Sequence, residues 1–493
     1  MTPRRWPSGH TDPDPTGPTR PTAHQPHAAA SAPRTQPYAT IAATMQNAAS
    51  PPPTAAELAQ RVRGGEISAE EAVAAAIGRA EAVQPRLNAV AVPRYEEAVA
   101  AARRLDEAGS PRLPLAGVPI TVKESFDLAG TPSSGGVEAL APTLATTNAA
   151  VVDALHAAGA IIIAKGNLAQ LLWFAETDNP VYGRTSNPHA LDRSPGGSSG
   201  GDAALVAAGV VPVAVGTDLG GSVRQPAHCC GIAALKPTAG CLSLAGTLDE
   251  RLFAPFPWIA NQPGIFARDP ADLALVLAVL AGPVQPASPR GLRVGVIETN
   301  GIVDPSPPVR RAVEIAADAA GQAGAHLFPF TPPAAEHALD LFDAVFVSDG
   351  GGSLERALAG TPAHPRIAAA IAAARGRALG SAAAATLEAD IAAYRRSFAA
   401  ALDTQRLDAV LGPAHPVPAV RHGTSDRHVR GQSYASLWNL LGYPAGVVPV
   451  TVTADGLPVG AQVAARPWRE DVVLGLLAAI STAEPPFRNI ADR

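Results

Sequence analysis

Seven short apolar runs, set off by Gly and Pro and separated by alanine-rich helical stretches, restrict the fold of this chain more than any other feature. They cover 118–122, 161–164, 210–215, 292–297, 409–411, 446–452 and 459–463. Each suits a buried strand and is too short for a buried helix. The intervening segments at 148–158, 201–208, 270–281 and 307–323 place alanine and larger aliphatics at helical spacing. Upstream, Ser68 and Glu71 form a capping-box pattern ahead of Ala72, Val73, Ala76 and Ile77, and a further helix is predicted over 95–108. Strand and helix alternating on this scale predict a layered α/β fold whose strands are mostly buried. Residues 333–405 carry few strand signals and many alanines, and are predicted to form a helical insertion or cap beside a substrate entrance. Residues 1–53, rich in Pro, Thr, Ala, Ser and His, hold too few large aliphatics to build a core and are predicted to be a disordered tail. The folded domain is expected over 54–490.

Charge excludes one broad class. A formal net charge of −5, with no dense Lys/Arg face, argues against a nucleic-acid partner. No run of eighteen apolar residues is free of charges and turn formers, so no membrane span is expected. Arg4-Arg5 is not followed by the apolar segment of an export signal, and Met45 offers a second translation start beside Met1. Three cysteines, Cys229, Cys230 and Cys241, suit a reduced, cytoplasmic protein. The twelve histidines show no metal-ligand spacing, and no metal or organic cofactor is expected.

Only three of the 38 basic residues are lysine, at Lys123, Lys165 and Lys236, and all three fall within 115–240. An amine can lose its proton at accessible pH, whereas a guanidinium cannot. For Lys165 and Lys236, codon usage is as good an account as chemistry. Lys123 ends the apolar run 118–122. It either pairs with Glu124 or Asp127, or is desolvated by its own strand and becomes a base near neutral pH.

Two glycine-rich segments follow. Gly196-x-Ser198-x-Gly200 imitates a nucleophile elbow, but the residues before it are loop-like and no buried strand delivers the serine. Read alone, the segment is a flexible connector or a nest of backbone N–H groups. The second, 216–226, follows a strand directly, and its successive glycines bring several N–H groups and the Ser222 hydroxyl to one place. That arrangement offers a nucleophile and an oxyanion hole together; the rival reading is a packing turn.

Taken in order, GVPITVKESFDLAGTPSSGG (117–136), the stretch 164–201 ending SPGGSSGG, GTDLGGSVRQPAHCCGIAALKPT (216–238), NLLGYPAGVVPVTV (439–452) and LPVGAQVAARPWRED (457–471) strongly resemble the amidase signature family. The resemblance runs through most of 55–480. It implies the amidase signature fold, a mixed twisted central sheet flanked by helices, and hydrolysis of a carboxylic acid amide through a serine acyl-enzyme. It also assigns positions: Lys123 as the catalytic base, Ser198 as the bridging serine after a cis peptide bond, and Ser222 as the nucleophile. The N–H groups of Leu219, Gly220, Gly221 and Ser222 correspond to the oxyanion hole, with Ser199, Asp218 and Arg224 as supporting positions. Glu124-Ser125 stands where many members have Asp-Asn, and Cys229 replaces a common aromatic. Cys229 or Cys230 as nucleophile lacks any evident base.

The choice of amide is less legible. Trp173, Phe174 and Trp438 near the motifs, with Phe253, Phe256, Trp258, Phe342 and Phe346 in the variable parts, predict an apolar pocket for small to medium neutral amides. The YPAGVVPV stretch is nearer the fatty-acid amide hydrolase and acetamidase branch than the glutamine-hydrolysing A component of a tRNA amidotransferase. That glutamine-hydrolysing component and a catalytically silent binding protein of the same fold are the alternatives. The resemblance permits a homodimer.

Overall fold

The computed structural model describes residues 52–109, 112–253, 258–259 and 261–481. The predicted tail up to residue 51, Phe256 and the last residues of the expected domain lie outside the described residues. Among the described residues there are eleven strands: β1 (Val90–Pro93), β2 (Pro119–Lys123), β3 (Ile161–Gly166), β4 (Val213–Asp218), β5 (Ala233–Lys236), β6 (Gln262–Ala267), β7 (Arg293–Val296), β8 (His326–Pro329), β9 (Ala409–Pro413), β10 (Ala445–Val452) and β11 (Pro458–Ala465). They form one mixed sheet in the order β1-β3-β2-β4-β6-β5-β10-β11-β9-β7-β8. Among these strands, parallel pairing joins β2 to β3 and β4, and β7 to β8 and β9.

All seven predicted runs coincide with strands, although the run at 210 begins its strand only at Val213, after Pro212. Four strands are additional. β1, β5 and β8 are four residues long, too short to display a period, and β6 contains Pro263 and Gly264. β5 and β6 hold mid-sheet places with little β-branched sequence because every residue in them is buried by its neighbours.

Helices cover the sheet. The helix Ala69–Leu87 begins with the predicted box: Glu71 N–H donates to Ser68 Oγ at 2.9 Å, and Ser68 N–H to Glu71 Oε2 at 2.9 Å. Among the described residues, most buried apolar side chains fall into two clusters. The larger joins the sheet to helices such as Ala69–Leu87, Gly200–Ala207, Pro270–Ala281 and Glu470–Ile480. The second lies where the helices Ala335–Val347, Pro365–Ala374 and Ser381–Gln405 meet the 168–174 segment and the helix Ser433–Leu441.

Phe398 anchors that second cluster. It is fully buried, with Phe330, Trp438 and Tyr443 each 5.8–5.9 Å away in edge-on contact. Truncating such a side chain removes its burial and leaves a cavity. Phe398→Ala should lower unfolding free energy by about 3–5 kcal/mol in urea titration; a change below about 1 kcal/mol would mean the helices are not held there.

Candidate active site

The parallel neighbours β2 and β4 both end at the same edge of the sheet, which brings Lys123 beside Thr217. Lys123 is wholly buried, and its Nζ donates to Ser198 Oγ and to Thr217 Oγ1, each at 2.8 Å. Burial lowers its pKa to about 8, against the opposing pull of Asp249, Asp202, Asp218 and Glu124. The rival partner, Glu124, is engaged elsewhere. Its carboxylate accepts from the N–H groups of Ser134 and Gly135, from Ser134 Oγ and from the Tyr182 hydroxyl.

Ser198 follows a cis peptide bond from Gly197 and is almost fully buried. Its loop is held tightly on both flanks. Thr177 Oγ1 donates to Gly196 C=O and accepts from Gly200 N–H, while Gln225 Oε1 accepts from Gly197 N–H. A side chain at Gly197 would meet the backbone of Phe174 and Glu176 at 2.6–2.8 Å, so only glycine fits. A methyl at Gly216 would sit 2.7 Å from Ser199 Oγ. Ser199 in turn donates from its N–H to Ser222 C=O at 3.2 Å, joining the two glycine-rich segments directly.

Ser222 is partly exposed, unlike Lys123 and Ser198 beneath it. Its loop turns on the carboxylate of Asp218, which accepts from the N–H groups of Gly221, Val223 and Arg224. The Gly221 N–H, one of the expected oxyanion donors, is bonded to Asp218 Oδ1 at 2.8 Å. Among the described residues, the N–H groups of Leu219, Gly220 and Ser222 have no protein acceptor. Arg224, buried with Asp218, donates to it through Nε at 3.0 Å and Nη2 at 2.8 Å, and to Asn439, Gln462 and the Ala435 carbonyl. Burial alone raises the Asp218 carboxyl, but the guanidinium overcomes this and holds it well below the usual carboxylate range.

The other two lysines are bound by backbone carbonyls. Lys165 Nζ donates to Pro132 C=O and to Ser133 Oγ, and Lys236 Nζ donates to the carbonyls of Pro237 and Tyr443. Cys229 and Cys230 are buried, and burial pushes the Cys229 thiol up to about 12 and Cys230 well above the thiol range, which leaves no thiolate near neutral pH.

A cavity of about 490 Å³ adjoins these loops through Gln225 and Phe342, the latter within contact distance of Gly220. Trp173, Phe174, Phe342 and Phe346 form its apolar wall, and Arg366 lies on the helix Pro365–Ala374. Trp438 is not brought there. It packs between Phe398 and Tyr443 and borders a separate small hollow. Phe253 stacks behind Trp173, with ring centres 6.3 Å apart. Thr217, Thr177 and Gln225 were missed in the sequence because their partners are set by strand order and loop contact, which no local pattern encodes. Among the described residues no group of His, Cys, Asp and Glu is placed to hold a metal ion, and no helix is long and apolar enough to cross a membrane.

The family model described as Amidase matches residues 71–474. Fatty-acid amide hydrolase 1 of Sus scrofa is 32% identical over 88% of this chain and 86% of its own length. A glutamyl-tRNA(Gln) amidotransferase component of Deinococcus radiodurans is 34% identical over 62% of this chain and 65% of its own. Among solved structures, 6-aminohexanoate cyclic dimer hydrolase superposes with a TM-score of 0.77 at 28% identity, covering 89% of this chain and 98% of that one.

Removing one partner of a buried ion pair leaves an uncompensated charge. Arg224→Met should therefore destabilise the protein by about 3–5 kcal/mol in thermal or chemical unfolding. A variant as stable as the wild type would show that Asp218 has other means of compensation.

Proposed function

The chain belongs to the amidase family, an amide hydrolase with the amidase fold, and from that premise we propose that it cleaves small to medium neutral amides through a Ser222 acyl-enzyme, with Ser198 and Lys123 as the proton relay. The observation that carries this reading is the 2.8 Å contact between Lys123 Nζ and Ser198 Oγ. Neutral Lys123 takes a proton from Ser198 as Ser198 takes one from Ser222, and the Ser222 oxygen adds to the amide carbonyl. The oxyanion that forms is met by the N–H groups of Leu219, Gly220 and Ser222. Reversal of the relay protonates the leaving nitrogen as its bond to carbon breaks. Water, deprotonated by the same relay, then releases the carboxylate and restores Ser222.

The cavity supports the substrate class. Its aromatic wall suits an apolar acyl group, and its volume suits a ring or short chain. Arg366 within it is already bound by Glu176 at 2.8 Å and Asp426 at 2.6 Å. That disfavours an acyl group bearing a carboxylate, such as glutamine's, which requires a free cation.

Labelling with a fluorophosphonate should add one adduct to the wild type and none to Ser222→Ala, read by intact mass. Ammonia release from acetamide, benzamide, oleamide and glutamine then ranks the acyl class; preference for glutamine would overturn the neutral-amide reading.

The charge state of Lys123 sets the pH dependence. Below about 8 the amine is protonated and cannot accept the Ser198 proton; above it the amine is free. The ratio kcat/KM should rise with pH and level off above about 8. Lys123→Arg, protonated throughout, should lose roughly 10³-fold on the plateau above about pH 8 and show no rise with pH. A profile flat from pH 6 to 9 would remove Lys123 as the base.

A further inference from the structure

Several polar groups of the cavity wall, among them Asp343, Gln432 and His415, are not used by the chemistry above. His415 follows β9, is 4% exposed and lines the cavity. Its Nδ1 donates to the Val417 carbonyl at 2.9 Å. The Val417 N–H, 3.4 Å from the same nitrogen, is too far to reverse that assignment. The proton therefore sits on Nδ1, and Nε2 carries a lone pair. Among the described residues no protein donor meets Nε2; a methyl built on Gly431 would lie 3.3 Å from it. The ring is fixed as well as neutral. His228 and His428 flank it with ring centres 6.3 and 6.5 Å away, and burial followed by these two neighbours lowers its pKa to about 3. Two other polar groups on the wall are occupied: Gln225 by Gly197 and Cys229, and Arg366 by Glu176 and Asp426.

We infer that His415 determines specificity: its Nε2 is a fixed hydrogen-bond acceptor that selects acyl groups ending in a donor, a phenolic O–H or a heteroaromatic N–H. The inference rests on the reading that this cavity holds the acyl group of the Ser222 chemistry. An apolar ring lies against the aromatic wall, and its donor reaches the Nε2 acceptor. An acyl group without a donor leaves that acceptor unpaired, and sites built to hydrogen-bond a substrate reject analogues that lack the group.

The test compares matched amides: 3-(4-hydroxyphenyl)propanamide with its 4-methoxy ether, and indole-3-acetamide with its N-methyl derivative. In the wild type the donor member of at least one pair should be favoured by about tenfold in kcat/KM, mainly through KM. His415→Leu should bring that ratio to near one, whereas His415→Gln, which places a carboxamide oxygen near Nε2, should keep most of it. Both variants lose the Nδ1 bond to Val417, so the difference between them isolates Nε2. If the leucine variant does not fold, the wild-type ratio decides: equal rates within both pairs overturn the role of His415 while leaving the serine chemistry intact. An unchanged preference in His415→Leu overturns it too. No hydrolysis of any amide, with no fluorophosphonate adduct on Ser222, would overturn the underlying reading instead.

Discussion

The buried pair of Asp218 and Arg224 is the interaction on which the site depends. Asp218 ends β4, and Arg224 opens the helix that follows the glycine turn. Between them they gather the helix Ser433–Leu441 through Asn439 and Ala435, and β11 through Gln462. Two charges taken out of water contribute little net stability unless every donor and acceptor is matched. Here the matching comes from the turn's own N–H groups and from those two distant elements. The pair thus exchanges a modest energetic return for a fixed shape: a turn that presents Ser222 at its crest and leaves a row of N–H groups without acceptors.

Lys123 is governed by the opposite balance. Desolvation lowers its proton affinity, while four carboxylates in the surroundings raise it. None of the four is bonded to the amine; its near partners are the hydroxyls of Ser198 and Thr217, which stabilise either protonation state. A carboxylate in direct contact would have locked the ammonium. Glu124, adjacent in sequence, is drawn away by the backbone of Ser134 and Gly135, and this is why the strand-end ion pair, a reasonable reading of the sequence, is not formed.

How much of this was legible in the sequence follows from the range of the forces involved. The short apolar runs and the Ser68 cap are set by contacts within a few residues, and they read correctly. The family resemblance assigns Lys123, Ser198 and Ser222 to one site, and in the structure Lys123 Nζ lies 2.8 Å from Ser198 Oγ. What could not be read depends on distant partners. β5 and β6 are strands because their neighbours bury them, not because Ala233–Lys236 or Gln262–Ala267 favour extension. Gly221 was indistinguishable from its neighbours until the Asp218 side chain was seen to cap it. Trp438, close in sequence to a motif, packs against Phe398 and Tyr443 on a helix whose residues are all buried, so burial pattern could not single out the face turned to the cavity.

The close packing around Gly197 and Gly216 has a consequence for how such a protein changes over time. Neither position has room for a single added carbon: the nearest atoms are backbone at Gly197 and the Ser199 side chain at Gly216. The edge of the sheet that carries Lys123 and Thr217 is therefore closed to gradual variation at these two glycines. The cavity wall made by Phe342, Phe346 and the alanines of the helix Pro365–Ala374 makes no hydrogen bond to the hydroxyls of Ser198 or Ser222. Inheritance can hold the one constant while the other drifts, and new substrates become accessible by remodelling a few helical turns over unaltered chemistry.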